Sequence, residues 1–164
     1  MLIRDGRAED LPRLLEIYNH YVDHTPITFD IEPLSLEKRR LWFDGFASDG
    51  PHRIFVAETN GRVHGYACSG TFRTKPAYHR SVEASVYLDA DDCGGGIGTA
   101  LYAHLLAVLE EEVGVHRVLA GITQPNETSV ALHQRFGFKR IGTFSDVGFK
   151  FGRYWDVAWF ELAL

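Results

Sequence analysis

The sequence predicts an α/β fold: a mixed, mostly antiparallel sheet of about seven strands flanked by about four helices. Two observations predict it. Segments with the helical spacing of apolar residues alternate with short β-branched and aromatic runs, and together they give the order βααβββαβαββ. The length of 164 residues suits one domain, and a hydrophobic content of 45% suffices for one core. We therefore expect a single domain over residues 1–164.

The first third of the chain predicts one strand and two helices. Residues 2–4 are a short strand, and residues 11–22 place apolar side chains at the spacing of an amphipathic helix. A second helix is expected from residue 35 to about residue 46, because Ser35 can cap it. The turn-forming residues 48–51 follow it.

Three strands and a long helix make up the centre of the chain. Asn60 and Gly61 tolerate positive φ, so they predict a tight hairpin in which the first two of these strands pair antiparallel. A turn-rich segment at residues 89–96 leads from the third strand into a helix at residues 97–113. The three strands are expected at residues 52–58, 62–72 and 81–88.

The last third predicts one strand, one helix and a closing pair of strands. The strand is expected at residues 118–122 and the helix at residues 126–135. The closing strands are expected at residues 142–150 and 154–162, with a break at residues 151–153.

Charge and cysteine content exclude several classes of protein. Lys and Arg number 17 against 22 Asp and Glu, a formal charge of −5, which argues against binding to nucleic acid or to an anionic membrane surface. Cys68 and Cys93 form no CxxC motif and the histidines form no helical metal-binding pair, so we expect neither disulfides nor a metal. The sequence shows no leader and no run of about 18 apolar residues, so we expect a cytoplasmic protein that does not span a membrane.

The 16 glycines include three in a row, Gly94 to Gly96, between a predicted strand and a predicted helix. Such a turn is a general anion site, because the first amides of a helix have no partner within it and point outward. Thr99 follows Gly98 with no lysine between them, which excludes the phosphate loop of nucleoside triphosphatases. The segment also lacks the third small residue of the dinucleotide fingerprint. The anion must therefore be identified from other details of the sequence.

The glycine segment and a second motif resemble those of a known family. Residues 93–98 are similar to the pyrophosphate-binding motif Gln/Arg-x-x-Gly-x-Gly/Ala of the GNAT N-acetyltransferases. The resemblance covers nearly the whole chain, and it implies the fold of that family and acetyl-CoA as co-substrate. The family's second motif, Asn-x-x-Ala/Ser-x-x-Leu-Tyr-x-x-x-Gly-Phe, is matched by Asn126, Ser129, Leu132, His133, Gly137 and Phe138.

Further segments are similar to one branch of that family, the phosphinothricin and methionine-sulfoximine N-acetyltransferases. These enzymes acetylate the α-amine of small glutamate or methionine analogues, so the resemblance implies such an acceptor. It also implies that Lys150, Arg153 and Trp155, on the last hairpin, help to close the acceptor site and to form a homodimer. Alternatively, the aromatic residues of this hairpin only form part of the core of the sheet and have no role in the acceptor site or in a dimer. The similar segments are residues 19–21, 28–29, 77–78, 82–88, 125–130 and 147–157.

Acetyl transfer needs a neutral amine, and Glu83 is the candidate base. Amines are mostly protonated at pH 7, and a nearby carboxylate offsets part of the cost of removing that proton. Glu83 lies early in the strand that leads to the glycine segment, and the resemblance gives the equivalent glutamate this role. A solvated strand carboxylate is the alternative.

His133 is the candidate for assisting the departing thiolate. Many members of the family carry a tyrosine acid at this position, and a histidine can exchange a proton near neutral pH. A helix histidine bonded to nearby backbone is the alternative, and Tyr102 is a weaker acid candidate that we expect to pack in the core. The resemblance also implies that a backbone amide near Leu88 polarises the thioester carbonyl.

The coenzyme is expected to bind along the strand before the glycine segment, the segment itself and the last helix. The resemblance implies pantetheine contacts at the strand and helix, and pyrophosphate contacts with the amides of the segment. Asn126 is also expected to cap the helix. The candidate residues are Val86, Tyr87, Leu88, Gly94, Gly95, Gly96, Ile97, Gly98, Thr99, Asn126 and Ser129.

The acceptor is expected to meet two cations and two aromatic rings. Arg73 and Lys75 are candidates to bind a carboxylate, with Phe29 and Tyr78 as apolar walls. Alternatively, Arg73 and Lys75 are solvated residues of a loop and bind no ligand. Other functions remain open: a peptide N-terminal acetyltransferase, a polyamine acetyltransferase, which the two cations disfavour, and a non-catalytic acyl-CoA-binding sensor.

Cys93 and Gly95 stand where the family often has a charged or polar side chain, which generates a first prediction. A Cys93→Arg variant should bind acetyl-CoA about tenfold more tightly or better, since a charge-assisted hydrogen bond contributes about 1.5–3 kcal/mol. Isothermal titration calorimetry gives the dissociation constant, with Cys93→Ser as the control. An unchanged constant for the arginine variant would refute the prediction.

Overall fold

The computed structural model describes residues 1–164 and contains one seven-stranded sheet with four α-helices. The strands lie side by side in the order β1-β2-β3-β4-β5-β7-β6, and only the β4/β5 pair is parallel. The predicted fold class is confirmed. The strands are β1 Leu2–Asp5, β2 Ile54–Thr59, β3 Arg62–Thr71, β4 Ser81–Leu88, β5 Arg117–Thr123, β6 Lys139–Lys150 and β7 Arg153–Ala163. The helices are α1 Leu11–His24, α2 Leu36–Phe43, α3 Ile97–Glu111 and α4 Glu127–Arg135.

Helices cover both faces of the sheet, as the alternation along β2 shows. Phe55 and Ala57 belong to the larger core, which α3 packs against. Ile54 and Val56 belong to a smaller core that includes residues of α1. The two faces therefore have separate apolar clusters. None of the helices combines the length and the apolar character needed to cross a membrane.

The helices begin where the sequence predicts, but two of them end early. Ser35 caps α2 by accepting a hydrogen bond from the Lys38 amide at 3.3 Å. α2 ends at Phe43 rather than near residue 46, because the Gly45 amide turns back to the Trp42 carbonyl at 3.2 Å. α3 ends at residue 111 rather than 113.

The last hairpin is longer than predicted. β6 begins at Lys139 rather than at residue 142, since Lys139 already pairs with Glu161 of β7. Arg153 pairs with Lys150, so the turn contains only Phe151 and Gly152, both with positive φ. The break predicted at residues 151–153 is therefore a two-residue turn, which keeps both strands paired up to its edge.

The two central strands separate after Glu83, and this separation positions the functional site. β4 and β5 pair at only three positions, of which Glu83 opposite Leu119 is the last. β4 stays bonded to β3 as far as Leu88, and β5 stays bonded to β7 as far as Thr123. The halves of the sheet therefore diverge as a wedge, with Glu83 at its narrow end.

Close contact between β3 and the end of β4 depends on a glycine, which generates a second prediction. A Cβ at Gly65 would lie 2.5 Å from Leu88 Cδ2 and 2.6 Å from the Tyr87 carbonyl oxygen, whereas a Cβ at Gly70 would meet nothing within 4 Å. Gly65→Ala should lower the free energy of unfolding by about 1–3 kcal/mol, the usual cost of overpacking. Urea unfolding measures it, with Gly70→Ala in the same strand as the control. Equal stability of the two variants would contradict this prediction.

Candidate active site

A cavity fills the wedge between β4 and β5. Val86 and Tyr87 of β4 line it on one side, and α4 with its cap lines it on the other, through Asn126, Ser129 and His133. Five of the residues predicted from the sequence therefore meet in one place. Asn126 also caps α4 as predicted, because its side chain accepts a hydrogen bond from the Ser129 amide at 3.1 Å.

The backbone of β4 presents unpaired amides to the wedge. Asp89 N–H donates to the His64 carbonyl of β3 at 2.7 Å. Because the amides of a strand alternate in direction, those of Leu88 and Val86 point the other way, toward the diverging β5. The Leu88 carbonyl on that side accepts a hydrogen bond from the Tyr21 hydroxyl at 2.8 Å. A donor for a thioester oxygen is therefore available at Leu88.

The glycine segment turns the chain into α3 beside the open end of the wedge. Gly94 and Gly96 have φ of +89° and +80°, a conformation that favours glycine. Gly98 serves packing as well, since a Cβ there would lie 3.3 Å from Leu88 Cδ1. The N-terminus of α3, with its free first amides, is thereby held close to the end of β4.

Cations from α1 and β3 offset the acidic residues of the glycine segment. Asp89 forms ion pairs with Arg13 and with Arg62, the latter at 2.8 Å. The Asp92 carboxylate lies 2.7 Å from His64 Nδ1, and this hydrogen bond is the main cause that holds the pKa of Asp92 below its usual value. The net negative charge around the glycine segment is therefore smaller than its sequence indicates, which favours the binding of an anion.

His133 lines the wedge, but both of its ring nitrogens have partners. Nδ1 lies 2.7 Å from the Ser129 carbonyl oxygen, which can only accept, so Nδ1 carries the proton and donates. Nε2 then accepts from the Tyr102 hydroxyl at 2.9 Å. The side chain is 3% exposed, and this burial lowers the pKa of His133, so the ring is neutral near pH 7. Tyr102 is fully buried, as expected for a packing residue.

Glu83 stands at the narrow end of the wedge on the opposite face of the sheet from α3. Burial raises the pKa of Glu83, and the charge of Arg73 opposes that rise. No hydrogen bond contributes to the shift. A half-buried carboxylate with a raised pKa and free oxygens is suited to accept a proton.

A second cavity of about 330 Å³ adjoins Glu83 between α2 and the sheet. Trp42, Phe46 and His52 line its outer side, and Gly70 lines its floor. Ser85, two residues after Glu83 on β4, borders both cavities. This wall of the site was not predicted, although Trp42 and Phe46 have the i, i+4 spacing of one face of the helix that the sequence predicts up to about residue 46.

The four predicted acceptor residues lie around the cavities rather than in their walls. Arg73 is near enough to Glu83 for its positive charge to lower the pKa of that carboxyl group, while Lys75 is exposed on the same loop. Tyr78 packs edge-on against Phe72, with ring centroids 5.8 Å apart. Phe29 packs on β6, where a Cβ at Gly148 would overlap its ring.

The last hairpin is tied to the loop between α1 and α2. Lys150 is buried and donates from Nζ to the Thr28 carbonyl at 2.9 Å. Trp155 Nε1 donates to the Lys150 carbonyl at 2.9 Å, and the Arg153 guanidinium lies 4.0 Å from the Trp155 ring centroid. These contacts hold the hairpin against the loop between α1 and α2, and most of its apolar side chains are exposed rather than in the core.

Comparison with known proteins identifies the class of enzyme. A family model described as an acetyltransferase (GNAT) domain matches residues 3–159. The chain therefore belongs to the GNAT family of acetyltransferases, and the family predicted from the sequence is confirmed, as is the prediction that the protein is an acetyltransferase.

Within that family, named relatives match over nearly the full length. The chain is 52% identical over 164 residues to the phosphinothricin N-acetyltransferase of Streptomyces coelicolor, covering 99% of this chain and 95% of the relative. It is 36% identical over 162 residues to the L-methionine sulfoximine/L-methionine sulfone acetyltransferase of Pseudomonas paraeruginosa, covering 99% and 94%.

Solved structures show the same fold. The ribosomal-protein-alanine N-acetyltransferase from Brucella melitensis matches with a TM-score of 0.95 at 40% identity over 100% of both chains. A phosphinothricin acetyltransferase from Sinorhizobium meliloti in complex with acetyl-CoA matches with a TM-score of 0.93 at 34% identity, covering 99% of this chain and 88% of that one.

Proposed function

We propose that residues 1–164 form a single-domain N-acetyltransferase that moves the acetyl group of acetyl-CoA to the α-amine of a small amino-acid-like acceptor. Phosphinothricin and methionine sulfoximine, after which relatives are named, are the proposed acceptors. The main support is that two cavities share Ser85 as a lining residue, two positions from Glu83 on the same strand. Coenzyme and acceptor can therefore occupy the site together, as transfer in a ternary complex requires.

The coenzyme lies in the wedge in this proposal. The amides of Gly94, Gly95, Gly96, Ile97, Gly98 and Thr99 hold its pyrophosphate at the start of α3. Val86 and Tyr87 flank the pantetheine on one side, with Asn126 and Ser129 on the other. The Leu88 amide donates to the thioester oxygen, where negative charge develops in the transition state.

Transfer is direct, with no acyl-enzyme. The amine nitrogen attacks the thioester carbonyl, the new C–N bond forms, and the C–S bond breaks. Cys68 lines the second cavity, but burial raises the pKa of its thiol to about 12, so it is not a thiolate nucleophile near pH 7. Cys93 lies in the glycine segment, away from Glu83.

Two side chains manage the protons. Glu83 accepts the proton that the ammonium must lose before it attacks, and passes it to solvent. His133 assists the departing thiolate by donating a hydrogen bond from Nδ1, which exchanges the Ser129 carbonyl for the coenzyme sulfur. Full proton transfer is not required, because a thiol with a pKa near 8.5 can leave as the thiolate and be protonated by solvent.

The acceptor lies on the α2 side of Glu83. Its side chain enters the second cavity between Trp42 and Phe46, and its carboxylate binds Arg73. Lys75, Phe29 and Tyr78 form the outer rim of this site. Both cations disfavour a polyamine as acceptor.

The pH dependence of kcat/KM tests the role of Glu83 and provides a third prediction. Only the carboxylate form accepts a proton, so kcat/KM falls as the pH drops through the pKa of Glu83, which burial raises above the usual value of about 4.3. In Glu83→Gln the neutral amine must come from solution. kcat/KM at pH 7 should therefore fall about 100- to 10,000-fold and recover as the pH approaches the pKa of the amine, about 8 or above.

Glu110→Gln, an exposed glutamate near the end of α3, is the matched control and should behave as the wild type. In Arg73→Met the acid limb should move to higher pH, because the charge that lowers the pKa of Glu83 is gone. Full activity of Glu83→Gln at pH 7 would rule out the base.

A peptide N-terminus is the second candidate acceptor, because the Brucella melitensis structure at 40% identity is named a ribosomal-protein-alanine N-acetyltransferase. An acceptor panel of methionine sulfone, phosphinothricin and an alanine-starting peptide separates the two functions by kcat/KM. Acetyl-CoA binding without thiol release on any of these amines would instead favour an acyl-CoA sensor.

The proposed enzyme acts in the cytoplasm as a homodimer that forms through the last hairpin. Both cysteines are free, which suits a reducing compartment. β6 is an edge strand, and the hairpin exposes more than half of each of six large apolar side chains, a pattern typical of a protein interface. They are Ile141, Phe144, Val147, Phe149, Phe151 and Tyr154.

A charge in this hairpin provides a fourth prediction. Phe149→Lys should convert a dimer to a monomer of 18.5 kDa, because it buries a lysine in the proposed interface. Size-exclusion chromatography with light scattering measures the mass. Val113→Lys, which changes an apolar residue 86% exposed just beyond the end of α3, is the control and should leave the dimer intact. A monomeric wild type would refute the homodimer.

A further inference from the structure

Trp159 of β7 lies on the same face of the sheet as Glu83. Glu83 pairs with Leu119 of β5, and Trp159 pairs with Gly121, two residues further along β5 and on the same face. A Cβ at Gly121 would lie 3.2 Å from Trp159 Cζ2 and 3.4 Å from Cε2. The indole therefore covers β5 at Gly121, a residue that lines the wedge.

The indole N–H has no partner in the fold. Three buried side-chain nitrogens lack a hydrogen bond, namely Arg39 Nε, Arg53 Nε and Trp159 Nε1. Each arginine bonds through another nitrogen, Arg39 to Tyr66 and Arg53 to Asp5. Trp159 is the one whose side chain makes no hydrogen bond at all. A buried donor without a hydrogen-bond partner lowers the stability of the fold. In a native protein, such a group often has a role in binding a ligand or marks local strain.

Arg73 brings a second donor to the same place. Its guanidinium carbon lies 5.6 Å from the Trp159 ring centroid, and its only hydrogen bond is to the carbonyl of the preceding residue, Phe72, at 3.1 Å. Arg73 is exposed, as is Phe144, whose ring centroid lies 6.5 Å from that of Trp159. A third neighbour, Phe72, is partly buried, and its ring centroid lies 5.8 Å from that of Trp159. Movement of the two exposed side chains is what would admit an oxygen atom to the indole N–H.

An α-amino acid carries its amine and its carboxylate on one carbon. When the amine is bound at Glu83, the carboxylate therefore lies next to Glu83. Arg73 is near enough to this place for its charge to lower the pKa of Glu83. The second cavity lies on the other side of Glu83, toward Gly70 of β3, and is free to take the side chain. The three substituents of the α-carbon then have three separate places.

We propose that Trp159 Nε1–H and the Arg73 guanidinium together bind the α-carboxylate of the acceptor, so that Trp159 sets the preference for α-amino acids over amines without a carboxylate. This inference rests on the proposed function. Trp159 is a specificity-determining residue that holds the acceptor, and it takes no part in moving protons.

The test compares Trp159→Phe with the wild type on two acceptors, methionine sulfone and 3-(methylsulfonyl)propan-1-amine, which is the same molecule without its carboxylate. Phenylalanine keeps the ring and loses the N–H. kcat/KM for methionine sulfone should fall about ten- to a hundredfold, the range for a lost hydrogen bond to a charged group, and kcat/KM for the amine should stay unchanged.

Trp155→Phe is the matched control, since the N–H that it removes bonds to the Lys150 carbonyl within the fold. Any loss it causes should be the same factor for both acceptors. An independent readout uses the wild-type protein labelled with ¹⁵N, in which methionine sulfone should shift the Trp159 indole resonance and the amine should not. This readout holds even if Trp159→Phe folds poorly.

Equal losses of Trp159→Phe on both acceptors, or no loss on methionine sulfone, would overturn the proposal, as would an indole resonance that does not respond. In those cases the wild type still acetylates methionine sulfone, so the proposed function survives. A wild type that acetylates no amino acid would overturn both proposals.

Discussion

The divergence of β4 and β5 after Glu83 determines where the cavity of the candidate site forms and which residues line it. Each strand is held on its outer side, β4 by β3 and β5 by β7, so neither can bend back to restore the pairing. The backbone groups that would have paired between them are left without partners in the sheet, and unpaired groups of this kind need a ligand or water. In the proposed complex, the pantetheine arm of the coenzyme replaces the missing strand contacts. In that complex, the last paired position, Glu83 opposite Leu119, is the point where the proposed coenzyme and acceptor sides meet.

A site that binds an anion mainly through amides requires neutral surroundings. The chain carries a formal charge of −5, and the glycine segment itself follows three aspartates. Arg13 of α1 and Arg62 and His64 of β3 offset two of them. The surrounding fold thus supplies charge compensation that family members with a basic loop supply locally, and this compensation is visible only in three dimensions because the paired residues are far apart in sequence.

The sequence predicted the elements better than the walls of the site. Features that depend only on neighbouring residues were predicted correctly. β4 has its predicted bounds, Ser35 and Asn126 cap their helices, and Asn60 with Gly61 forms the turn of the first hairpin. Contacts between distant segments could not be predicted in this way. Nothing near Gly98 indicates that it packs on Leu88, and nothing near His133 indicates that the Tyr102 hydroxyl occupies its Nε2. The bond from His133 Nδ1 to the Ser129 carbonyl, four residues earlier in the same helix, is the local contact that the sequence offered as the alternative for this histidine. The second cavity depends on how α2 crosses the sheet, which no local pattern specifies.

Arg73 links binding of the acceptor to the strength of the base. In the free protein its charge lowers the pKa of Glu83 and so opposes the effect of burial. A carboxylate bound to Arg73 offsets that charge and adds a negative group near Glu83, and both changes raise the pKa of Glu83. An α-amino acid in the proposed site therefore makes Glu83 a stronger base at the moment when its own ammonium has to lose a proton. An amine without a carboxylate leaves the charge of Arg73 uncompensated, so the acceptor preference arises from deprotonation as well as from binding.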